Sequence, residues 1–335
     1  MSELFAGVST RGRVLFAAVL AFLIAAPFIV DDYWMAVIII VCYLGYVGQS
    51  WNLMLGFAGL LSIGHALFIG LGAYASAALF VHFGVAPVFG IFVAVLIAVV
   101  AGSVIGALGF RFEIRGVYFA LLTIAFAEFV RILVDHWQWL GGTAGLFLPV
   151  QNREGVDLLN LRGAPEMFYY IILFLNFGAL GLCRWLLAGR LGYYWQAIRD
   201  DQDAAQSLGI NVFRYKMIAV MISSAMAGVA GVFYAFYYNN LFPEQIFAVE
   251  QSVQLTFAPI VGGVGTLFGP IVGAFILTPL GRVLSTVSEE WNLPGIQLLF
   301  WGICVAAIVL FRPAGIWPWM ARVLRLTVRP GQDER

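Results

Sequence analysis

Charge is scarce in this sequence. Only 11% of its 335 residues are charged, and 18 basic and 18 acidic side chains cancel to a formal net charge of zero. No basic run offers itself to nucleic acid. Lysine occurs once, as Lys216, and the phosphate-cradling pattern G-x-x-x-x-G-K-[ST] is absent, so the chain carries no nucleotide-hydrolysing loop of that kind. H-E-x-x-H and G-x-S-x-G are missing as well, and the three histidines are scattered, which argues against an intramembrane enzyme. Cysteine is rare too. Cys42, Cys183 and Cys304 sit in apolar stretches without metal-ligand spacing and read as small buried hydrophobes. No cofactor and no metal are expected.

What fills the chain instead is apolar. Hydrophobic residues make up 62% of it, and the mean hydropathy is +0.93. The excess comes in blocks, at residues 14–30, 36–48, 85–110, 167–183, 217–238 and 296–311. A helix needs about 20 mostly apolar residues to cross the hydrocarbon layer. The fold class is therefore an all-α, polytopic transmembrane helical bundle, and the lipid bilayer is its first partner. A β-barrel would show short alternating segments.

Arginines near span ends orient the thread, since basic residues favour the cytoplasmic side. Arg11 and Arg13 precede the first run, no small-x-small cleavage site closes it, and an uncleaved first span is expected. Spans follow at about 14–30, 33–53, 60–82, 85–110, 116–135, 166–187 and 217–238, then two within 248–285, and a last one at about 295–311. That gives about ten spans with both termini cytoplasmic. Residues 1–320 form the transmembrane domain and residues 321–335 a short cytoplasmic tail. Residues 136–165 and the SEEWN stretch, 288–292, are expected outside. The pairs Gly102/Gly106 and Gly269/Gly273 have the G-x-x-x-G spacing that lets helices approach closely.

One polar cassette interrupts the grease. Residues 189–214 are expected on the cytoplasmic side, and within them Arg199, Asp200, Asp201 and Asp203 fall inside five residues. Placed on one helix, residues 196–208 put Ala197, Ile198, Ala204, Ala205 and Leu208 on one side, with Arg199 and Asp203 spaced to pair on the other. Gly209 suits the position after the helix end. From the residues alone, two readings stand. The cassette is a docking surface for a protein, or it is a solvated linker. Its acidity argues against a helix resting on anionic headgroups.

Ionisable and polar groups inside spans are each a functional candidate. Glu128, Arg131 and Asp135 form a carboxylate–guanidinium–carboxylate ladder on one helical face, either lining a pathway or anchoring the span end. His65, beside Ser62 and Gly64, either contacts a substrate or packs against a neighbouring carbonyl. Asn52 and Thr123 stand in the same way between a pathway and a bond across helices. Gly142 and Thr143, in the stretch GGTAG, are read either as a re-entrant turn facing a cavity or as an external loop.

Several stretches together resemble a known family: LMLGFAGLLSIGHALFIGLGAYASAAL at 53–79, GVYFALLTIAFAEFVRIL at 116–133 with GGTAGL at 141–146, AIRDDQDAAQSLGINVFRYKMIAVMISSAMAGVAGVFYA at 197–235, and IVGGVGTLFGPIVGA at 260–274. In order and spacing they resemble the permease subunits of bacterial ATP-binding-cassette importers for branched-chain amino acids, the Liv type and its M branch. The resemblance implies a permease in the bacterial inner membrane, paired with a second permease subunit, identical or not. It also implies two cytoplasmic ATP-binding subunits, a periplasmic substrate-binding protein, and no ATP hydrolysis on this chain. It implies that Ala197, Ile198, Arg199, Asp200, Asp201, Leu208, Gly209 and Ile210 contact the ATPase, with Ser207 where alanine is common. A second contact is implied at the turn carrying Gly262, Gly263 and Gly265. GGTAG departs from the more usual Thr-Gly-Gly-Ser/Ala-Asn-Gly, so it assigns no substrate. Branched-chain amino acids are the family default, with urea, short amides and aromatic acids as look-alike cargo. An ion-coupled secondary transporter is the rival from another class, supported only by Glu128.

Overall fold

The computed structural model describes residues 10–149, 157–290 and 295–324. Its elements are α1 Thr10–Ala25, α2 Asp32–Asn52, α3 His65–Phe83, α4 Pro87–Arg111, α5 Val117–His136, a two-residue strand β1 Leu146–Phe147, α6 Pro165–Ala188, α7 Arg190–Asp200 and α8 Gln202–Ser207. After these come α9 Val212–Tyr238, strand β2 Asn240–Leu241, α10 Pro243–Ile246, α11 Val249–Gly262, α12 Gly269–Glu290, α13 Ile296–Phe311 and α14 Ile316–Val323. Among the described residues, the elements other than the antiparallel β1–β2 pair are helices. Residues 150–156 of the expected external segment, Trp291 and Asn292 of SEEWN, and residues 325–335 of the expected tail lie outside the described residues.

Among the described residues seven helices are long and apolar enough to cross a membrane, or up to eight if the bent α13–α14 pair counts as one. The expected ten is not reached on length. Helix α11 has only 14 residues, about 21 Å at 1.5 Å per residue, against a core of about 30 Å. The third span also differs from expectation. Its helix starts at His65, and residues 58–64 approach it without helical structure.

Helix α2 forms the centre. Its apolar window, extended through a π turn at Leu53–Phe57, is 72% buried, whereas α4 and α5 are 28% buried and face outward. Around α2 sit α6, α11 and α12 on one side and α9 on the other, where α9 packs with α3 and α4. Small residues explain these approaches. A Cβ on Gly72 of α3 would lie 2.7 Å from the Gly228 Cα of α9, and one on Gly102 of α4 would lie 2.7 Å from the Ser224 Oγ. Lipid supplies little drive for helices to associate, so such close packing and interhelical hydrogen bonds carry the bundle. Asn176 of α6, for example, donates to the Cys42 carbonyl of α2 at 2.8 Å.

Candidate functional site

The cassette occupies the end of the bundle where α2, α4, α6 and α11 finish and α5, α9 and α12 begin. It is not the single helix expected. The backbone breaks at Asp201, which adopts an extended conformation, and Asp201 Oδ1 accepts from the amides of Asp203 (2.9 Å) and Ala204 (3.0 Å). A side chain that satisfies two otherwise unbonded amides stabilises a new helix start, here that of α8. The break undoes the expected Arg199–Asp203 pair. Arg199 Nη2 instead lies 3.2 Å from Asp200, and Asp203 lies 3.0 Å from Arg115 Nη1 at the α4–α5 junction. The expected apolar face is corrected too. Ile198 and Ala205 are buried and Ala197 half-buried, but Ala204 is exposed and Leu208 is 82% exposed at the cassette's tip. Gly209 does end α8 as expected, with φ +83°, and the Ile210 amide bonds back to the Ala205 carbonyl at 3.1 Å.

Besides the Asp203–Arg115 pair, three side chains hold this cassette on the bundle. Trp195, fully buried, donates Nε1 to the Tyr215 carbonyl of α9 at 2.8 Å. Lys216 of α9 donates to Gln202 of α8 and lies 5.8 Å from the centre of the Phe110 ring. Arg199 reaches inward, and its Nη1 donates to the Gly56 carbonyl at 2.7 Å. Gly59, at φ +70°, lets α7 come down on the chain after α2, since a Cβ there would lie 3.1 Å from the Arg199 Cα. Between the cassette and this seat lies a cavity of about 190 Å³, lined among others by Gly59, Leu61, Arg115, Arg199, Gln202 and Lys216.

The second turn, residues 262–270, meets the first at the same place. Asn52 Nδ2 donates to the Thr266 carbonyl at 2.9 Å, and Asn52 Oδ1 accepts from the Gly265 amide at 2.8 Å. Gln49 donates to the Leu267 carbonyl. Gly262 packs its backbone against that of Gly269, and Gly263 packs against Gly315. Arg199, Gly56, Asn52 and Gly265 thus form one contiguous polar chain from the cassette to both turns.

Four of the pathway candidates are closed in rather than lining open space. Asn52, Ser62, His65 and Thr123 are all buried. Ser62 and Thr123 help secure the non-helical residues 58–64, whose backbone would otherwise be costly at depth. Trp51 Nε1 donates to the Ser62 carbonyl at 2.7 Å, the Ile63 amide donates to Thr123 Oγ1 at 3.2 Å, and the Gly64 amide donates to Ser62 Oγ at 3.3 Å. His65 Nε2 sits 3.0 Å from Ser223 Oγ, which in turn donates to the Ser50 carbonyl at 2.7 Å. The ladder on α5 forms as spaced, with Arg131 Nη2 at 2.5 Å from Glu128 and Nη1 at 2.9 Å from Asp135. Gly142 and Thr143 lie in tight 3-10 turns that β1–β2 pairing ties to α9, with Leu146 opposite Leu241. Gly142 is buried and Thr143 exposed.

Sequence reasoning missed Gly56, Gly59, Arg115, Gln202, Ser50 and Ser223. Lys216, the one lysine in an apolar run, was a visible signal. The glycines gave none, because their role is to admit partners distant in sequence.

Comparison with known proteins follows the same lines. The model of the family described as branched-chain amino acid transport system / permease component matches residues 33–311. The high-affinity branched-chain amino acid transport system permease protein LivM of Escherichia coli K12 is 28% identical over 341 residues, covering 96% of this chain and 78% of that protein. The probable branched-chain amino acid transport permease protein LivM of Methanocaldococcus jannaschii is 22% identical, covering 81% of this chain and 89% of its own. The autoinducer 2 import system permease protein LsrC of Photorhabdus laumondii is 27% identical over 59% of this chain and 58% of its own. No solved structure matches. With a family match over most of its length and multiple apolar helices, the chain belongs to the permease components of branched-chain amino acid transport systems.

Proposed function

We propose that this chain is the membrane permease subunit of an ATP-binding-cassette importer that carries branched-chain or related amino acids across the inner membrane into the cytoplasm. Its work is mechanical. ATP-binding subunits hydrolyse nucleotide beneath it, a periplasmic protein delivers cargo above it, and a second permease subunit, identical or not, completes the pathway. Similarity to LivM proteins over nearly the whole chain favours amino acids over the narrower match to an autoinducer importer.

The observation that carries the reading is the seat of the cassette. Helices α7 and α8 lie on the end of the bundle with Asp200, Asp201 and Leu208 exposed, while Arg199 bonds the turn between α2 and α3. A pull on the exposed face is delivered through that guanidinium to Gly56, and through Asn52 to Gly265. Differential contact of the partner in two states is enough to shift such an assembly; no chemistry in this chain is required.

The cassette end is assigned to the cytoplasm because Arg111, Arg115, Arg184, Arg190, Arg214 and Arg312 all close or open helices there. Both termini then lie inside, provided that α1, α11 and α13 complete crossings with their flanks, which makes ten spans. Residues 1–320 make up the permease domain and 321–335 its tail. On α5, the neutralised Glu128–Arg131–Asp135 ladder and the Gly142–Thr143 turn are assigned to the outer part of the pathway.

The test is co-purification of the chain with its ATP-binding subunits and uptake of labelled leucine into vesicles. Asp200→Arg, Asp201→Arg and Leu208→Asp are expected to abolish uptake and ATPase stimulation while the chain still inserts. Undiminished uptake in all three contradicts the coupling role.

A further inference from the structure

Helix α14 leaves α13 at a bend of 61°, so it does not prolong that helix across the bilayer. The bend is built by close packing. Gly315 has φ +83°, and a side chain there would run into the backbone of Gly262 and Gly263. One face of α14 is thereby fixed on the turn between α11 and α12, with Ala321 buried and the Trp317 ring 5.0 Å from that of Phe268. The opposite face is bare: Trp319 is 44% and Val323 60% exposed, one helical turn apart, and Leu324, just past the helix end, is exposed as well. Two guanidinium groups border that face. Arg312 lies 5.8 Å from the Trp319 ring centre, and Arg322 is exposed with its Nε on the Pro318 carbonyl at 3.1 Å.

Two further observations choose the occupant. Helix α13, which leads into α14, also carries an exposed apolar row, at Leu299, Ile303 and Leu310. Between residues 291 and 332 the sequence contains no Asp or Glu, so nothing there offsets the arginines. A short helix with aromatic and aliphatic residues on one side and arginine along its border is suited to lie in the interface of an anionic membrane. We propose that α14 is a docking surface for anionic lipid headgroups, with Trp319, Val323 and Leu324 entering the headgroup–acyl boundary and Arg312 and Arg322 holding lipid phosphate. Because Gly315 rests on Gly262 and Gly263, lipid engagement bears directly on the turn that Asn52 holds. The proposal needs only that the chain spans a membrane, and it stands or falls independently of the cargo and of the ATP-driven reading.

The test uses the full chain with Cys42, Cys183 and Cys304 replaced by Ser and a nitroxide on Val323→Cys. It is reconstituted into vesicles of phosphatidylcholine, with or without phosphatidylglycerol. In the anionic vesicles the label is expected to meet dissolved oxygen and to be shielded from a water-borne nickel relaxant. Arg312→Gln and Arg322→Gln should each weaken that shielding about fivefold, the effect of one basic side chain at an anionic surface. If Arg312→Gln does not insert, Arg322→Gln alone reads the same quantity. Equal nickel access in both vesicles overturns the proposal. So does shielding that appears only when ATP-binding subunits are added, which assigns the face to protein. Loss of shielding on adding inorganic phosphate overturns it as well, by assigning the arginines to a free anion.

Discussion

The two glycine-rich turns that meet beneath the cassette are built by different means. Between α2 and α3 most of the hold is side-chain hydrogen bonding, Trp51 on the Ser62 carbonyl, Thr123 on the Ile63 amide and Arg199 on the Gly56 carbonyl, with backbone contact at Gly56 and Gly64. Between α11 and α12 the main hold is backbone against backbone, Gly262 on Gly269 and Gly273 on the Ala258 carbonyl, with Gly315 closing from below. The first turn is therefore adjustable, since a side-chain hydrogen bond is exchanged at modest cost. The second is rigid, because close-packed backbone has no rotamer to change. The Asn52 bridge joins an adjustable part to a rigid one, and the cassette rests on the adjustable part.

Substitutions separate the two. Gly262→Val should have the largest effect. Its side chain has only the Gly269 and Gly273 backbone to displace, and overpacking of this kind costs about 3 kcal/mol. Thermal unfolding of the purified chain should show a large fall in Tm, and an unchanged Tm would remove the idea of a rigid turn. Gly59→Ala comes next, at about 2 kcal/mol, combining left-handed strain with pressure on Arg199. Here the Tm should fall less while proteolysis within α7 speeds up, because the cassette is lifted from its seat. Thr123→Val removes the acceptor of the half-buried Ile63 amide and should cost about 1 kcal/mol, read by the same melting experiment. Leu208→Ala is the smallest in stability, within about 0.5 kcal/mol for so exposed a site. It should nonetheless weaken binding of the ATP-binding subunits in a pull-down.

Much of this fold is legible from apolar runs. The expected span at 116–135 is α5 Val117–His136, that at 166–187 is α6 Pro165–Ala188, and that at 85–110 is α4 Pro87–Arg111. Length and hydropathy suffice where a helix simply crosses. They fail at residues 58–64, where Leu60 and Leu61 keep the run apolar while the backbone leaves the helix, held there by Trp51 and Ser62 nearby and by Thr123 from a distant helix. The cassette was legible as a polar unit with a glycine end. Its break at Asp201 was not found, because helical periodicity does not register a cap, although Asp before two free amides is a capping pattern. Once that break is admitted, the loss of the Arg199–Asp203 pair and the exposure of Leu208 both follow. The Arg199–Gly56 and Asn52–Gly265 bonds join residues 143 and 213 positions apart, and no local pattern encodes them.

The central claim is that Arg199 transmits force from the cassette to the turns. The direct measurement is ATP hydrolysis and leucine uptake in the same proteoliposomes, for the original complex and for Arg199→Ala and Arg199→Lys. The account predicts intact assembly and continued hydrolysis in the alanine variant, with uptake per ATP reduced about tenfold, as expected from losing a contact worth about 1.4 kcal/mol, and partial recovery with lysine. An unchanged ratio of uptake to hydrolysis in Arg199→Ala would contradict it.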